Sequence, residues 1–440
     1  MSKADNIVET RSVSSETSST NKNVTDVEVL DVDSLRQSSI EDVVFEREKI
    51  WTGASSSVTS RCSRWWVCLE SAFLSSGKTL YLTGNVGMLL SYLFIGILVG
   101  MNQLAIIEMS CLMPVTGSYI RHADHFVDSA YSFALGWIGV YQHILPSEIS
   151  ATAVVMGYWS DVNPAVWITV FMVIIILCNS WKIRFYGEIE FFFGCLKVLL
   201  ISGLIIFSIV MDLGGEKYAG VKGLPSVINA IVLSSAFSAA NMGLVQTSRN
   251  LFALATKGQA PKFFLKTNRF GLPYWGVLIS ALFMPLAYMS ASKSASTVFG
   301  WFQNLTSANL LVTWIAIDVN HIALQKALKA QGYTRDDLPY KMPFANIGAY
   351  VSLFFFIILL LTGGYTNFLN GNFDISSFFS AYFVIPLFAV LFFFWKFFKK
   401  THIRRSEEVD LQTLFRDVDE NPETLPPPNR GWRLIKYLWE

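Results

Sequence analysis

VGMLLSYLFIGILVGMNQLAIIEMSCLMPVTGSYIRHADHFVDSAYSFALGWIGVYQHILPSEI, running from Val86 to Ile149, decides how the rest of the chain is read. Its first twenty-two residues, Val86 to Ile107, carry no charge. At ~1.5 Å per helical residue they cover the ~30 Å hydrocarbon core of a bilayer. A carboxylate, Glu108, closes that span. A loop with Pro114, Gly117 and Arg121 follows, then a second apolar helix from Ala130 to Tyr158 that holds His143, Pro146 and Glu148 near its middle. An ionisable group at that depth costs ~2.5–3.5 kcal/mol on insertion scales, so Glu148 implies a task or a partner.

The whole chain agrees with this opening. It has 440 residues, 52% hydrophobic, 15% aromatic and only 15% charged, where soluble proteins approach a quarter charged. The composition is that of a polytopic membrane protein with an all-α helix bundle. A net charge of +1 points to no nucleic-acid partner. The five cysteines, Cys62, Cys68, Cys111, Cys178 and Cys195, form no CxxC and no spacing with histidine that would hold a metal. No nucleotide loop, HExxH or nucleophile elbow is present, so neither enzyme chemistry nor a cofactor is expected.

Three regions follow from composition. Residues 1–60 are rich in Ser, Thr, Asp and Glu and read as a disordered tail. Residues 61–400 form the membrane domain, and 401–440 a polar C-terminal tail. Further spans are expected at Ala165 to Asn179, Phe191 to Met211, Leu224 to Val245, Tyr274 to Ala291, Val298 to Ile317, Ala349 to Tyr365 and Phe378 to Trp395. With one doubtful span before Val86, the expected total is about 9–10. Arg121, Lys182, Arg184, Arg249, Lys262, Lys326, Arg335, Lys396 and Arg405 fall on one side of this arrangement, and Lys78, Lys217, Lys222 and Lys293 on the other. Short cytoplasmic loops hold the lysines and arginines, so both termini are expected in the cytoplasm.

The segment EMSCLMPVTGSYIRHADHFVDSAYSFALGW with PSEISATAVVMGYW resembles the second and third spans of fungal amino-acid permeases, of the amino acid, polyamine and organocation transporter superfamily. YGEIEFFFGCLKV at Tyr186 to Val198, NAIVLSSAFSAANMGLVQTSRNLFALATKGQAPKFF at Asn229 to Phe264 and LPYKMPFANIGAY at Leu338 to Tyr350 extend the resemblance over most of residues 75–405. It implies a fold of two inverted five-helix repeats, and a plasma-membrane carrier that moves amino acids with protons. Two departures stand out. Thr52 to Glu70, TGASSSVTSRCSRWWVCLE, replaces an apolar, glycine-rich first span with a stretch whose Arg, Cys, Trp and Ser content suggests a frameshifted or mis-spliced exon. At Gly215 and Glu216 the chain passes directly from the fifth family span to the eighth, so the sixth and seventh are missing.

The family grips its substrate with the broken first and sixth spans, and neither can be located here, so no substrate-gripping residue is carried over. What remains is scaffold and coupling machinery. Lys197, in FFFGCLKV, matches a position where related proton-coupled transporters keep a titratable lysine; Glu148 is then its partner or a contact for the substrate ammonium. A structural pair or snorkelling side chains is the plainer reading of both. Ser234, Ser235 and Asn241, together with Ser238, either line the pathway or join helices by hydrogen bonds. Glu108, Glu188 and Glu190 are expected in a cytoplasmic-face network with Arg121, Lys182 or Arg184, and Asp318 and His321 end a span near the same face. The expected partners are an amino-acid substrate, protons and the lipid bilayer, with the oligomeric state left open. Two other functions fit the same sequence: a non-transporting sensor or decoy related to permeases, and a carrier of polyamine or choline-like cations. With two helices missing from the second repeat, transport by this form is expected to be poor or absent.

Overall fold

The computed structural model describes residues 68–114, 118–180, 183–212, 224–267, 273–292, 295–368 and 373–420. The tail 1–60, nearly all of Thr52 to Glu70, the junction at Gly215 and Glu216, and the segment 421–440 lie outside the described residues.

Among the described residues the chain is helical, without strands. Helix α1 is Cys68–Leu112, with a break at Gly84, whose φ of 70° and ψ of 177° only glycine adopts at little cost. The short α2, Ser118–Phe126, leads to Asp128, which caps α3, Ser129–Ile144, by accepting from the Ala130 N–H at 3.0 Å. Then come α4, Ser147–Met156, α5, Pro164–Ser180, α6, Ile183–Asp212, and α7, Leu224–Thr256. Helix α8, Tyr274–Phe283, passes through a 3-10 turn into α9, Met289–Ser292. Helices α10, Ala295–Ala330, α11, Ala345–Thr362, α12, Ile375–Tyr382, α13, Val384–Lys399, and α14, Leu411–Glu420, complete the set.

Six of these helices are long and apolar enough to cross a membrane, and the bent α12–α13 pair makes seven if it is one span. The fold is therefore a polytopic helix bundle. Three stretches that the sequence reads as single spans are shorter or bent. Ala165 to Asn179 lies on the 17-residue α5. Ala130 to Tyr158 is divided between α3 and α4, and Phe378 to Trp395 bends by 47° between α12 and α13. Proline accounts for both bends: Pro146 lies between α3 and α4, while Pro386 cannot donate to the Tyr382 carbonyl four residues back.

Helices α7 and α10 organise the packing. The 36 residues of α10 reach about 54 Å, well beyond a ~30 Å hydrocarbon core. It lies along α11 and α1 and meets α2, α4 and α12, while α7 is packed by α3, α4 and α8. The arginine- and lysine-rich end of the bundle is closed by residues 400–420. Arg404 N–H donates to the Val127 carbonyl at 2.9 Å, and Gln331 Nε2 donates to the carbonyls of Ser406 and Val409 at 3.0 and 2.7 Å. Val409 and Leu411 are buried in one apolar cluster with Met109, Leu112, Leu324 and Leu328. His125 meets the Asp410 carbonyl, and burial holds its imidazole below the usual value while that carbonyl acts in the opposite direction. Much of the polar segment after residue 400 is therefore part of the packed bundle.

One glycine fixes a helix contact. A Cβ on Gly276 would lie 2.7 Å from the Cα of Ser248, so α8 approaches the backbone of α7 too closely for any other residue. A Cβ on Gly300 would meet nothing within 4 Å. Gly276→Ala is expected to destabilise the purified protein by about 1–3 kcal/mol, the usual range for overpacking, with Gly300→Ala close to the wild type. Thermal unfolding in detergent followed by size-exclusion chromatography measures both. Equal melting of the two variants would contradict the close approach.

Candidate functional site

Two polar centres lie between the helices. The first forms at the break in the second apolar stretch. Leu145 turns to an extended conformation, φ −68° and ψ 131°, and α4 restarts at Ser147. Glu148 consequently occupies the first turn of α4, where the positive end of the helix dipole favours a carboxylate. It is half-buried, and Ser147 Oγ donates to its Oε1 at 3.3 Å. The break also frees backbone groups within the bundle, as broken helices do in carriers.

Helix α7 runs past α4 with the predicted hydroxyl and amide cluster. Ser235, Ser238 and Asn241 are buried. Ser234 Oγ donates to the Ile231 carbonyl of its own helix at 2.7 Å. Asn241 Oδ1 accepts from Nδ2 of Asn179 on α5, and Asn179 Nδ2 also donates to the Ile175 carbonyl at 2.9 Å. Ser150 of α4 and Ser290 of α9 have their hydroxyls 3.4 Å apart. The Asn179–Asn241 and Ser150–Ser290 contacts join helix to helix, while the Ser234 bond stays within its own helix. Lys197 lies on α6, as do Glu188 and Glu190, and all three side chains are outside the described residues.

The second centre joins α1, α10 and α11 toward the basic end of the bundle. Asn102, Glu108, Asp318, His321 and Ser352 are all fully buried. Glu108 Oε1 accepts from Arg335 Nη2 at 2.8 Å, and its Oε2 lies 2.6 Å from His321 Nε2. Asp318 Oδ1 accepts from Asn102 Nδ2 at 2.9 Å, and its Oδ2 lies 2.8 Å from Ser352 Oγ. Glu108 is thus held by Arg335 and His321, while Lys182 and the Arg184 side chain, two of its expected partners, lie outside the described residues. Arg121, on α2, is within electrostatic range of Lys257, and Lys257 pairs with Asp124 Oδ2 at 3.1 Å. A third ion pair joins the buried Asp128 to Lys396 of α13. Asn102, Ser352 and Arg335 had no expected role in the site. The available signal was Asp318 and His321 three residues apart on one face of an apolar helix, an arrangement that calls for partners from neighbouring helices.

Helices long enough to span a bilayer, broken where polar side chains gather and tied together by buried carboxylates and amides, define a polytopic membrane protein. A family model described as Amino acid permease matches residues 71–220 and 215–408, and the chain belongs to that family. It is 28% identical over 472 residues to the dicarboxylic amino acid permease of Saccharomyces cerevisiae, covering 80% of this chain and 77% of that one. Similarity to the lysine/arginine permease of Candida albicans is 27% over 483 residues, covering 82% and 84% of the two chains. The cationic amino acid transporter 1 of Schizosaccharomyces pombe is 25% identical over 482 residues, with 83% and 82% covered. The protein is an integral membrane member of an amino-acid transport family, a family of permeases.

The alignment with the Saccharomyces permease also holds unmatched positions. Eighty per cent of 440 residues is about 352, which leaves about 120 of the 472 aligned positions with the Saccharomyces permease opposite no residue of this chain. The two parts of the family match meet at residues 215–220.

Proposed function

We propose that this chain derives from a proton-coupled amino-acid permease of the plasma membrane, with both termini in the cytoplasm, and that in its present form it moves amino acids poorly or not at all. The observation that carries the reading is the junction at residues 215–220, where the family match changes from one part to the next. About 120 unmatched positions are ample for two spans of ~20 residues with their loops. Loss of a pair of spans leaves every later helix in its original orientation. The one-sided distribution of Arg121, Arg335, Lys396 and Arg405 supports the orientation. Among the cargoes, amino acids are favoured over polyamines and choline-like cations by the names of the relatives, a dicarboxylic amino acid permease, a lysine/arginine permease and a cationic amino acid transporter.

For the complete ancestor we read Glu148, in the first turn of α4, as a contact for the substrate ammonium or a partner of Lys197, and Lys197 as a titratable lysine in exchange with protons. Uptake of labelled lysine and glutamate in a transport-deficient host, with and without a protonophore, tests the reading. The 440-residue chain should reach the membrane and accumulate neither. Accumulation that the protonophore does not affect would contradict both the inactivity and the proton coupling.

A further inference from the structure

Two buried carboxylates, Glu108 and Asp318, lie at the contact of α1, α10 and α11, and among the described residues one permanent cation pairs with them. Glu108 takes it, since Arg335 Nη2 donates to Oε1 at 2.8 Å. His321 does not add a second. Its Nε2 lies 2.6 Å from Glu108 Oε2, while its Nδ1 is buried with no hydrogen-bond partner among the described residues. An imidazolium would carry a buried N–H at Nδ1 with no acceptor, so the network assigns the neutral Nε2–H tautomer. That leaves Asp318 without a counter-ion among the described residues.

The hydrogen-bond inventory around Asp318 leads to the same result. Asn102 Nδ2 spends its two N–H groups on Asp318 Oδ1 and on the Trp314 carbonyl, each at 2.9 Å. Ser352 Oγ lies 2.8 Å from Asp318 Oδ2 and 2.7 Å from the Gly348 carbonyl. A hydroxyl has a single proton to donate. With an ionised Asp318, one of those two short oxygen–oxygen contacts has no proton between its atoms. With a protonated Asp318, both are satisfied: the carboxyl O–H donates to Ser352 Oγ, which donates to Gly348.

We infer that Asp318 is a proton-binding site, holding its proton while α1 and α11 are seated on α10 and releasing it to water when that contact opens. On release the carboxylate keeps the O–H electron pair, and the Ser352 hydroxyl turns from Gly348 to the new anion. The titratable groups that face it are Glu108 on α1, His321 on its own helix and Tyr131 on α3, which is in electrostatic range. Helix α11 has no charged residue along its length. Helix α2 meets α10 through the Tyr119 carbonyl, which accepts from Asn320 Nδ2 at 2.9 Å, and its His122 ring faces the Met113 carbonyl. Burial pushes His122 below the ordinary imidazole range, so it adds no cation near Asp318. The inference rests on the proton-coupled reading above for the use of the proton, and on this geometry alone for its location.

Infrared difference spectroscopy of the full chain in lipid nanodiscs, titrated with pH, tests it. The wild type should show a carboxylic-acid C=O band that persists where a free aspartate is ionised, with the proton held at least about tenfold more tightly. Asp318→Asn should abolish the band. Ser352→Ala, which removes the acceptor of the acid O–H, should move it to higher frequency, and this arm decides the question if Asp318→Asn does not fold. A wild-type spectrum without the band, or a band that neither substitution alters, overturns the inference. A spectrum of this chain without the band, beside protonophore-sensitive uptake by a complete relative, would refute Asp318 and leave proton coupling standing. The band without such uptake would do the reverse.

Discussion

Alanine at Arg335 should lower the melting temperature of the purified protein more than any other single ion-pair deletion in the bundle. It leaves the Glu108 carboxylate, fully buried, facing a neutral imidazole. Removing one partner of a fully buried pair costs ~3–5 kcal/mol. Arg335 keeps 26% of its side chain exposed, so solvent already screens part of the interaction and about 2–3 kcal/mol is expected. Glu108→Gln is expected to cost less, because the stranded guanidinium can turn toward water. The double variant Arg335→Ala with Glu108→Gln should recover part of the loss, since it leaves no unpaired buried charge. Thermal unfolding of the four proteins in detergent gives the coupling directly. If Arg335→Ala melted with the wild type, the pair would contribute nothing to the seam between α1 and α10.

That seam shows which parts of the fold the sequence made legible. Every apolar stretch of membrane length is helical, though some are divided or bent, because uncharged runs near twenty residues allow little else in lipid. The breaks were marked by proline in advance, yet a proline does not say whether a helix bends, stops or carries on. Pro146 separates two helices, whereas Pro386 gives a bent pair. Ion-pair partners were harder still. Glu108 was assigned to Arg121, Lys182 or Arg184, but its partners are 213 and 227 residues away. Partner choice depends on which helices become adjacent, and the charge pattern along the sequence does not record it. Asp318 was read only as a residue ending a span near the cytoplasmic face for a related reason: there it resembles a solvated residue, until Asn102 and Ser352 arrive from two other helices and bury it.

Repairing the chain at both departures is expected to restore saturable amino-acid uptake, and repairing either one alone is not. In carriers built this way the amino acid is held at the bilayer midplane by the exposed ends of broken helices, N–H groups facing the carboxylate and C=O groups facing the ammonium. Hydrogen bonds to a charged group contribute ~1.5–3 kcal/mol each. Losing two at each end of the substrate removes at least about 6 kcal/mol, more than a ten-thousandfold in affinity, which places any residual binding beyond the range of an uptake assay. The repair inserts, between Gly215 and Glu216, the segment of the Saccharomyces dicarboxylic amino acid permease that lies opposite the gap, and replaces Thr52 to Glu70 with that permease's own first-span sequence. Because two spans go in together, the basic loops after α7 and α10 should keep their side of the membrane, and protease protection of tags placed beside Lys262 and Arg335 would report this independently of transport. The chimera should then take up dicarboxylic amino acids, while the 440-residue parent and the two single repairs stay at background. A double repair that keeps this topology and still accumulates nothing would show that the defect lies elsewhere in the bundle, and uptake by the parent itself would show that the missing helices are dispensable.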